Sequence, residues 1–307
     1  MATLLRSFPS SAWSDEQTPS SNESRKASVT EIGTSVAGFS VDIPLHPDAR
    51  LVLAWGVATD TGRRRAHNED SFLAEAPIFA VADGMGGHSA GDIASAAVVS
   101  RLHEAVTESF TDADTIERGL RAATVDIGLI TDEKQLGIGT TVTGVALSLQ
   151  DDEPFWTVFN VGDSRVYLYE RDTLVQVTVD HSVVQELVDA GVIRAEDAET
   201  HPDSNVITRA VGFNVEAVPD YWVVPVREGL RLLLCSDGLT KELDAEGISR
   251  LLAAGRSAEE TALALVEAAL EGGGRDNITA IVIDVLESSG LGEFENTIPR
   301  TAPTPIL

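Results

Sequence analysis

The spacing of apolar residues along the chain changes between the strand period and the helix period. Apolar stretches of strand length begin with Leu51 to Ala58 and include the run Ile78 to Ala82, and helical spacing follows over residues 91–110 and 115–130. From Val142 to Val177 the pattern alternates as in strands, and Asp, Gly and Pro separate the segments. Short strands joined by tight turns predict an antiparallel meander rather than parallel βαβ units.

The second half of the chain interrupts this meander and then resumes it. Over residues 181–212 the pattern predicts loops and short helices, with Ser182 capping a helix through Ala190 and a second helix beginning near Ala195. Such an insertion usually covers one end of a sheet. The remaining elements are two strands, two helices and a final strand, over residues 221–226, 231–236, 245–254, 258–271 and 278–286. Segregated runs of strands and helices predict an α+β fold, with helices packed outside antiparallel sheets.

Both ends of the chain differ in composition from this central part. Residues 1–49 are rich in Ser, Thr and Pro with little periodicity, and residues 288–307 have the same character. Segments of this kind bury too little apolar surface to fold alone. We therefore predict a disordered leader over 1–49, one domain over 50–287 and a disordered tail over 288–307.

The net charge narrows the classes of partner. Of the 307 residues, 43% are hydrophobic and 23% are charged, which allows a sizeable core, but the formal charge is -27. We expect no nucleic-acid or anionic-membrane partner, because Lys and Arg bind phosphate groups, whereas divalent cations suit clustered acids. No stretch approaches the roughly 18 uncharged apolar residues of a membrane-spanning helix. The single cysteine, Cys235, cannot form an intramolecular disulfide, so we predict a cytoplasmic protein.

Acidic residues occur at the ends of several predicted strands. Asp83 and Asp237 directly follow apolar strands, Asp276 precedes one, and Glu69-Asp70 stands just before another. If these ends meet, the carboxylates would repel one another unless cations lay between them. Because histidine is sparse and cysteine absent in these motifs, we expect Mg²⁺ or Mn²⁺ rather than zinc. A pair of such ions activates water and stabilises displacement at phosphorus.

Two neighbouring features have simpler alternatives. Three glycines follow Asp83 within four residues, which is also compatible with an ordinary strand–turn–helix junction; the spacing does not match a nucleotide-binding GxGxxG or Walker loop. Arg65 is the candidate for gripping phosphate oxygens with its planar fork, whereas we interpret Arg63 and Arg64 as solvated.

The ordered set of motifs resembles the metal-dependent serine/threonine protein phosphatases of type 2C in their bacterial form. The match runs from Leu53 to Leu286. The motifs that carry the resemblance are Arg65-Ala66-His67-Asn68-Glu69-Asp70-Ser71, Asp83-Gly84-Met85-Gly86-Gly87-His88-Ser89-Ala90-Gly91, Gly139-Thr140-Thr141, Val161-Gly162-Asp163-Ser164-Arg165, Asp180-His181-Ser182, His201-Pro202, Thr208-Arg209-Ala210-Val211-Gly212, Cys235-Ser236-Asp237-Gly238-Leu239 and Gly274-Arg275-Asp276-Asn277-Ile278-Thr279. It implies a sandwich of two antiparallel β-sheets flanked by helices, with residues 50–287 as the catalytic domain and 181–212 as a flap that contributes to substrate choice.

The resemblance also implies a site and a mechanism. Two Mn²⁺ or Mg²⁺ ions would share one bridging carboxylate, and a metal-bridging hydroxide would attack phosphoserine or phosphothreonine directly, without a phosphoenzyme. The implied roles are Asp83 as the bridge, the Gly84 carbonyl on one ion, Asp237 and Asp276 on the other, Glu69 and Asp70 as direct or water-mediated ligands, Arg65 on the phosphate and His88 as a further substrate-binding residue. We count Arg65, Asp83 and Asp237 as the catalytic group.

The chain departs from the family pattern at two positions. Some members have a histidine two residues after the bridging aspartate, a proposed general acid, where this chain has Met85. Some bacterial members bind a third metal through an aspartate just before Gly-Thr-Thr; residues 134–138 contain none, so a third ion is not supported. We interpret Gly162-Asp163 as a hairpin loop that shapes the scaffold.

The acidic motifs allow three functional interpretations. An active phosphatase, acting on phosphoproteins and opposing a serine/threonine kinase in bacterial signalling, explains the complete acidic set. A non-catalytic binding module has no physical reason to keep acids that repel one another. A metal-dependent nuclease fits poorly with the negative charge and scarce basic patches. We expect the protein to be a monomer.

Overall fold

The computed structural model describes residues 30–44, 46–86, 90–130, 137–213 and 218–290. Its strands are β1 (Glu31–Gly33), β2 (Val36–Val41), β3 (Arg50–Asp60), β4 (Asp70–Glu75), β5 (Ile78–Met85), β6 (Gly139–Thr140), β7 (Val142–Gln150), β8 (Glu153–Val161), β9 (Arg165–Glu170), β10 (Thr173–Gln176), β11 (Asp220–Pro225), β12 (Arg231–Cys235) and β13 (Ile278–Ser289). Its helices are α1 (Gly91–Ala105), α2 (Ala113–Ile130), α3 (Val183–Asp189), α4 (Asp237–Thr240), α5 (Ala245–Leu252) and α6 (Ala258–Gly272). Among the described residues, no helix combines the length and apolar character needed to cross a bilayer.

The strands form two sheets. The first has the order β1-β4-β5-β7-β8-β11, with the short β6 paired to the end of β5, and the second has the order β10-β9-β12-β13-β3-β2. Neighbouring strands are antiparallel except β1 and β4, which are parallel. The pairs β2–β3, β4–β5, β7–β8 and β9–β10 are also consecutive along the chain, as the tight turns of the sequence predict, whereas the remaining pairs join distant segments.

Apolar side chains fill the space between the sheets. Trp55 on β3, Phe79 on β5 and Trp156 on β8 pack edge to face, with ring centroids 5.1 Å and 6.3 Å apart. On the outer face of the first sheet, α1 and α2 bury residues such as Leu102. On the outer face of the second, α5 and α6 bury residues such as Leu265. The predicted α+β sandwich flanked by helices is therefore confirmed.

The predicted disordered leader is wrong for its last part, because β1 and β2 lie inside residues 1–49. β2 pairs with β3, and Val41 and Ile43 are each only 5% exposed. The indole N–H of Trp55 also donates a hydrogen bond of 2.9 Å to the Thr34 carbonyl. This segment is ordered because β2 pairs with β3, a strand outside the segment. Its own composition therefore does not indicate a strand. Residues 1–29 and 291–307 lie outside the described residues.

The insertion over residues 181–212 lies beside the end of the first sheet. The Ser182 hydroxyl accepts a hydrogen bond from the Gln185 N–H and caps α3, so the predicted short helix is confirmed. The second predicted helix is only a 3₁₀ turn over Ala195–Asp197. An isolated bridge between Thr140 and Val211 ties the end of the insertion to the strand that pairs with β5.

Candidate active site

Strand ends bring the predicted acids to one end of the sandwich. β4 and β5 pair so that Asp70 lies opposite Asp83. Asp237 begins α4, with one residue between it and the end of β12, and Asp276 lies just before the antiparallel neighbour β13. Burial raises the pKa of Asp83 well above its usual range, and the charges of Asp70, Asp237 and Asp276 raise it further. The carboxylates are therefore close enough to repel one another.

Two glycines allow the backbones that carry these acids to touch. A Cβ on Gly84 would lie 2.1 Å from the carbonyl oxygen of Gly91, and a Cβ on Gly238 would lie 1.9 Å from that of Asn277. Neither approach leaves room for any side chain, even a methyl group. Each of these two glycines directly follows an acid of the cluster, so a side chain here would push the acidic loops apart.

Asp70 is the most deeply buried of these acids. It is 1% exposed, and its Oδ2 accepts hydrogen bonds from Ser236 Oγ at 2.9 Å and Thr279 Oγ1 at 2.7 Å. Burial raises its pKa to about 7, although these two hydrogen bonds act in the opposite direction. Its Oδ1 is buried and has no hydrogen-bond partner within the described part of the chain. A cation would satisfy such an oxygen.

The Gly-Thr-Thr motif holds the backbone of Asp83. The Asp83 N–H donates to Thr141 Oγ1 at 3.1 Å, and its carbonyl accepts from the Thr141 N–H and Thr140 Oγ1, both at 2.9 Å. The Thr141 hydroxyl is itself paired with that of Ser164 at 2.9 Å. The main chain of Asp83 is thus positioned without using its carboxylate.

Asp276 differs from Asp70 because two cations hold it. Arg65 forms a bidentate pair with it, Nε to Oδ1 at 2.8 Å and Nη2 to Oδ2 at 2.9 Å. Lys241 Nζ lies 3.1 Å from Oδ2 and also pairs with Oδ2 of Asp237. Burial alone would raise the pKa of Asp276, but Lys241 and Arg65 hold it below its usual range. Half of the Arg65 side chain is exposed, so a ligand at the surface would reach it.

A neutral amide joins the loop of Glu69 to the loop of Asp276. Asn277 is 4% exposed; its Oδ1 accepts from the Glu69 N–H at 2.8 Å, and its Nδ2 donates to the carbonyls of Thr61 and His67 at 2.8 Å and 2.9 Å. All the polar groups of this side chain are therefore used. Burial raises the pKa of the Glu69 carboxyl.

Reasoning from sequence missed two charged members of the cluster. Burial raises the pKa of Asp163 to about 7, and the charge of Asp237 raises it further, so its carboxylate adds to the cluster as well as shaping a hairpin. Asp163 follows an apolar strand, as Asp83 and Asp237 do, and that signal would have identified it. Lys241 stands four residues after Asp237, the spacing at which helical side chains meet.

Some of the predicted features fall outside the described residues. His88 lies there, as do residues 131–136 ahead of the Gly-Thr-Thr motif. Met85, which occupies the position of the proposed histidine acid, ends β5 and is partly exposed. The assignment of His88 to substrate binding stays a prediction.

The chemistry of the site suits a hard divalent cation. Its potential ligands are carboxylates and backbone carbonyls, and buried Oδ1 atoms of Asp70 and Asp237 have no hydrogen-bond partner within the described ranges. In those same ranges, however, no three acidic, histidine or cysteine side chains already form a ready-made ligand set. Asp237 and Asp276 are instead turned toward Lys241. The residues fit a metal centre whose ligands must shift when the ions bind.

Comparisons with known proteins identify the family of this chain. The sequence model described as Protein phosphatase 2C matches residues 60–270. The serine/threonine phosphatase stp of Listeria welshimeri is 38% identical over 239 residues, which cover 74% of this chain and 93% of that protein. The serine/threonine protein phosphatase PstP of Mycobacterium tuberculosis is 39% identical over 244 residues, covering 77% of this chain and 46% of that longer protein.

Solved structures show the same relation. The crystal structure of the Mycobacterium tuberculosis phosphatase PstP/Ppp has a TM-score of 0.70 at 35% identity and covers 76% of this chain and 99% of that chain. The catalytic domain of PstP in complex with two manganese ions has a TM-score of 0.68 at 36% identity and covers 77% of this chain and 100% of that chain. By sequence and by fold, the chain belongs to the protein phosphatase 2C family, as its motifs predict.

Proposed function

We propose that this chain removes phosphate from phosphoserine and phosphothreonine in proteins with the help of two Mn²⁺ or Mg²⁺ ions. The observation that carries the proposal is the meeting of Asp70, Asp83, Asp237 and Asp276 at one end of a type 2C fold. Acids that repel one another in this way are typical of a functional site. The relatives named above are serine/threonine phosphatases, which supports the substrate class.

The acids would divide between the two ions. Asp83 would bridge them, with the Gly84 carbonyl on one ion and Asp237 and Asp276 on the other. The remaining acids, Glu69 and Asp70, would ligate directly or through water. When bound, the ions supply Lewis-acid charge and lower the pKa of water so that it attacks phosphorus at neutral pH. The raised pKa values of Asp70 and Asp83 support this role, since added positive charge would favour both residues as carboxylates. Manganese in the PstP structure supports Mn²⁺ as the first ion to test.

Arg65 would orient the substrate. Its guanidinium already binds a carboxylate of the cluster through Nε and Nη2, and half of the side chain faces solvent. A guanidinium in this position offers further N–H donors to phosphoryl oxygens while it stays anchored to Asp276. The exposed Arg65 edge therefore defines the side from which a phosphorylated side chain would approach. Asp83 and Asp237 would contribute beside it by holding the ions.

Release of inorganic phosphate from phosphoserine and phosphothreonine peptides tests the proposal. We expect release with Mn²⁺ and none with excess chelator, and no cleavage of single- or double-stranded DNA under the same conditions. Cleavage of DNA would favour a nuclease. Failure to release phosphate at any Mn²⁺ concentration would favour a non-catalytic binding module and contradict the proposal.

The cellular setting rests on family analogy. We propose that the chain acts in the cytoplasm as a monomer and reverses the action of a serine/threonine kinase. Comparing phosphoproteins in cells with and without this protein would identify its substrates: an increase confined to phosphoserine and phosphothreonine sites is expected, and an unchanged set of sites would contradict this role.

A further inference from the structure

The acidic cluster contains its own cation. Lys241 follows α4, and its Nζ lies between the carboxylates of Asp237 and Asp276, 3.1 Å from Oδ2 of the latter. The Lys241 side chain is 29% exposed, and both carboxylates are 16% exposed. A lysine paired with two acids at this depth is partly shielded from solvent, so its attraction to them is stronger than that of a fully exposed ion pair.

The main chain keeps Lys241 in this place. Its N–H donates to the Asp237 carbonyl at 2.9 Å, and its own carbonyl accepts from the Arg275 guanidinium. Arg275 in turn pairs with Glu242, whose side chain is 3% exposed. The loop before β13 and the turn after α4 are therefore bound to each other. These contacts fix the main chain of Lys241, so that its side chain extends toward the two acids.

The same two carboxylates are the ones proposed to hold one of the metal ions. A divalent ion of this class requires carboxylate oxygens at about 2.1 Å. It would therefore lie close to the position that the Lys241 ammonium group occupies. Both oxygens of Asp276 and Oδ2 of Asp237 are engaged by Arg65 or Lys241, which leaves Oδ1 of Asp237 without a partner among the described residues. Asp70, in contrast, contacts hydroxyl groups and no cation within the described part of the chain. Before any ion binds, the position beside Asp237 and Asp276 thus already contains positive charge, and the position beside Asp70 contains none from the residues that the structure describes.

We propose that Lys241 competes with the metal at the Asp237–Asp276 position, so that an ion binds there only when the ammonium group moves aside. This inference rests on the proposed two-metal function. It makes the two sites unequal: the site beside Asp70 and Asp83 fills first, and the site beside Asp237 and Asp276 fills at a higher metal concentration. Without metal, the lysine stabilises the acids that the ion would otherwise neutralise.

Calorimetric titration of metal-free protein with Mn²⁺ tests this competition without measuring activity. For the wild type we expect one tighter and one weaker site. Lys241→Met and Lys241→Gln should tighten the weaker site on the order of tenfold, because they remove a positive charge a few ångströms from the ion. Lys241→Arg keeps the charge and should keep the weaker affinity. Arg64→Met is the matched control, because Arg64 is exposed and the substitution also removes one positive charge, but from the nearby surface.

Melting temperature supplies a second readout. In chelator, Lys241→Gln should melt below the wild type, and saturating Mn²⁺ should raise its melting temperature more than that of the wild type. The glutamine amide still donates to a carboxylate, so this variant should fold even if Lys241→Met does not. Unchanged Mn²⁺ affinities in both neutral variants would overturn the role of Lys241 and leave the proposed function intact. A wild type that binds no Mn²⁺ would overturn the metal site itself.

Discussion

Two neighbouring groups of buried acids in this molecule have opposite surroundings. In the cluster around Asp83, acids face other acids, and burial raises the pKa values of Asp70 and Asp163 to about 7. Beside it, Asp180 is 8% exposed, yet Arg165 meets it with Nε and Nη2 at 2.7–3.0 Å. Both groups lie at the same end of the fold, and burial alone does not distinguish them. They differ in the charge of their neighbours.

The difference shows which acids serve the fold and which are free for chemistry. An acid with a matched base is neutralised inside the protein and has no need of a ligand. An acid that faces other acids lowers the stability of the empty protein and becomes favourable only when an external cation arrives. Asp237 and Asp276 lie between these two cases, because they face other acids but also pair with Lys241. Removing one acid from each group should therefore change stability in opposite directions.

The largest effect is expected for Asp83→Asn. Phosphate release with Mn²⁺ should fall on the order of a thousandfold, because the bridging carboxylate is lost. In chelator at pH 8, the free energy of unfolding should instead rise by about 1–2 kcal/mol, because the variant no longer buries a charge among like charges. Urea denaturation and phosphate assays measure the two effects.

Asp48→Asn, which removes an exposed acid, is the control and should alter neither quantity. If Asp83→Asn kept activity, or destabilised the metal-free protein, the contrast between the two groups of acids would be wrong.

Asp180→Asn should have the opposite effect on stability. It leaves the Arg165 guanidinium, 24% exposed, without its carboxylate, and we expect a loss of about 2–4 kcal/mol in urea denaturation. The double variant Arg165→Met with Asp180→Leu removes both charges and should recover most of this loss. A single variant as stable as the wild type would show that the pair contributes little.

Asn277→Ala tests what holds the repelling acids together. The side chain has three hydrogen bonds to the loop that carries Arg65 and Glu69, and truncation leaves buried backbone groups unpaired. We expect a loss of about 2–3 kcal/mol in unfolding free energy and a weaker Mn²⁺ affinity. Asn277→Asp keeps the acceptor for the Glu69 N–H but turns a carboxylate oxygen toward the Thr61 and His67 carbonyls, so it should lose at least as much stability. An Asn277→Asp variant as stable as the wild type would contradict a role for the two N–H donors.

The sequence predicted the parts of the site that depend on single strands. The apolar run before Asp83 and the one before Asp237 identified buried strands that end in a charge, and the antiparallel register then brings Asp83 beside Asp70. These features depend on local pattern and strand pairing, which leave a clear trace in the residues. The glycine after each acid has a role that became clear only in the structure, where it allows two backbones to approach closely.

Other features depend on contacts between distant segments and left little trace. Lys241 reaches Asp276 across 35 positions of the chain, and no local pattern shows where a flexible side chain ends. β2 falls within the predicted disordered leader because residues 1–49 are rich in Ser, Thr and Pro with little periodicity, although Val41 is buried and β2 pairs with β3. Asp163 was visible but was read as turn chemistry, since a glycine and an aspartate after a strand also form ordinary hairpins.

The smallest expected effect concerns His181. This residue follows Asp180 of the Arg165–Asp180 pair and contacts the loop of Asp163. Its Nδ1 accepts from the Gly162 N–H at 3.1 Å, so Nε2 carries the proton toward Asp220, 3.2 Å away. Burial lowers the pKa of His181, and Arg209 lowers it too, although Asp220 and Asp180 act in the opposite direction. The folded protein then binds fewer protons than the unfolded chain below pH about 6.5, so acid should favour unfolding. In chelator, we expect the wild type to lose about 1 kcal/mol or less between pH 7 and pH 5 relative to His181→Gln, by urea denaturation. The exposed His103→Gln should follow the wild type, and parallel curves for the wild type and His181→Gln would show that this histidine does not contribute to the pH dependence.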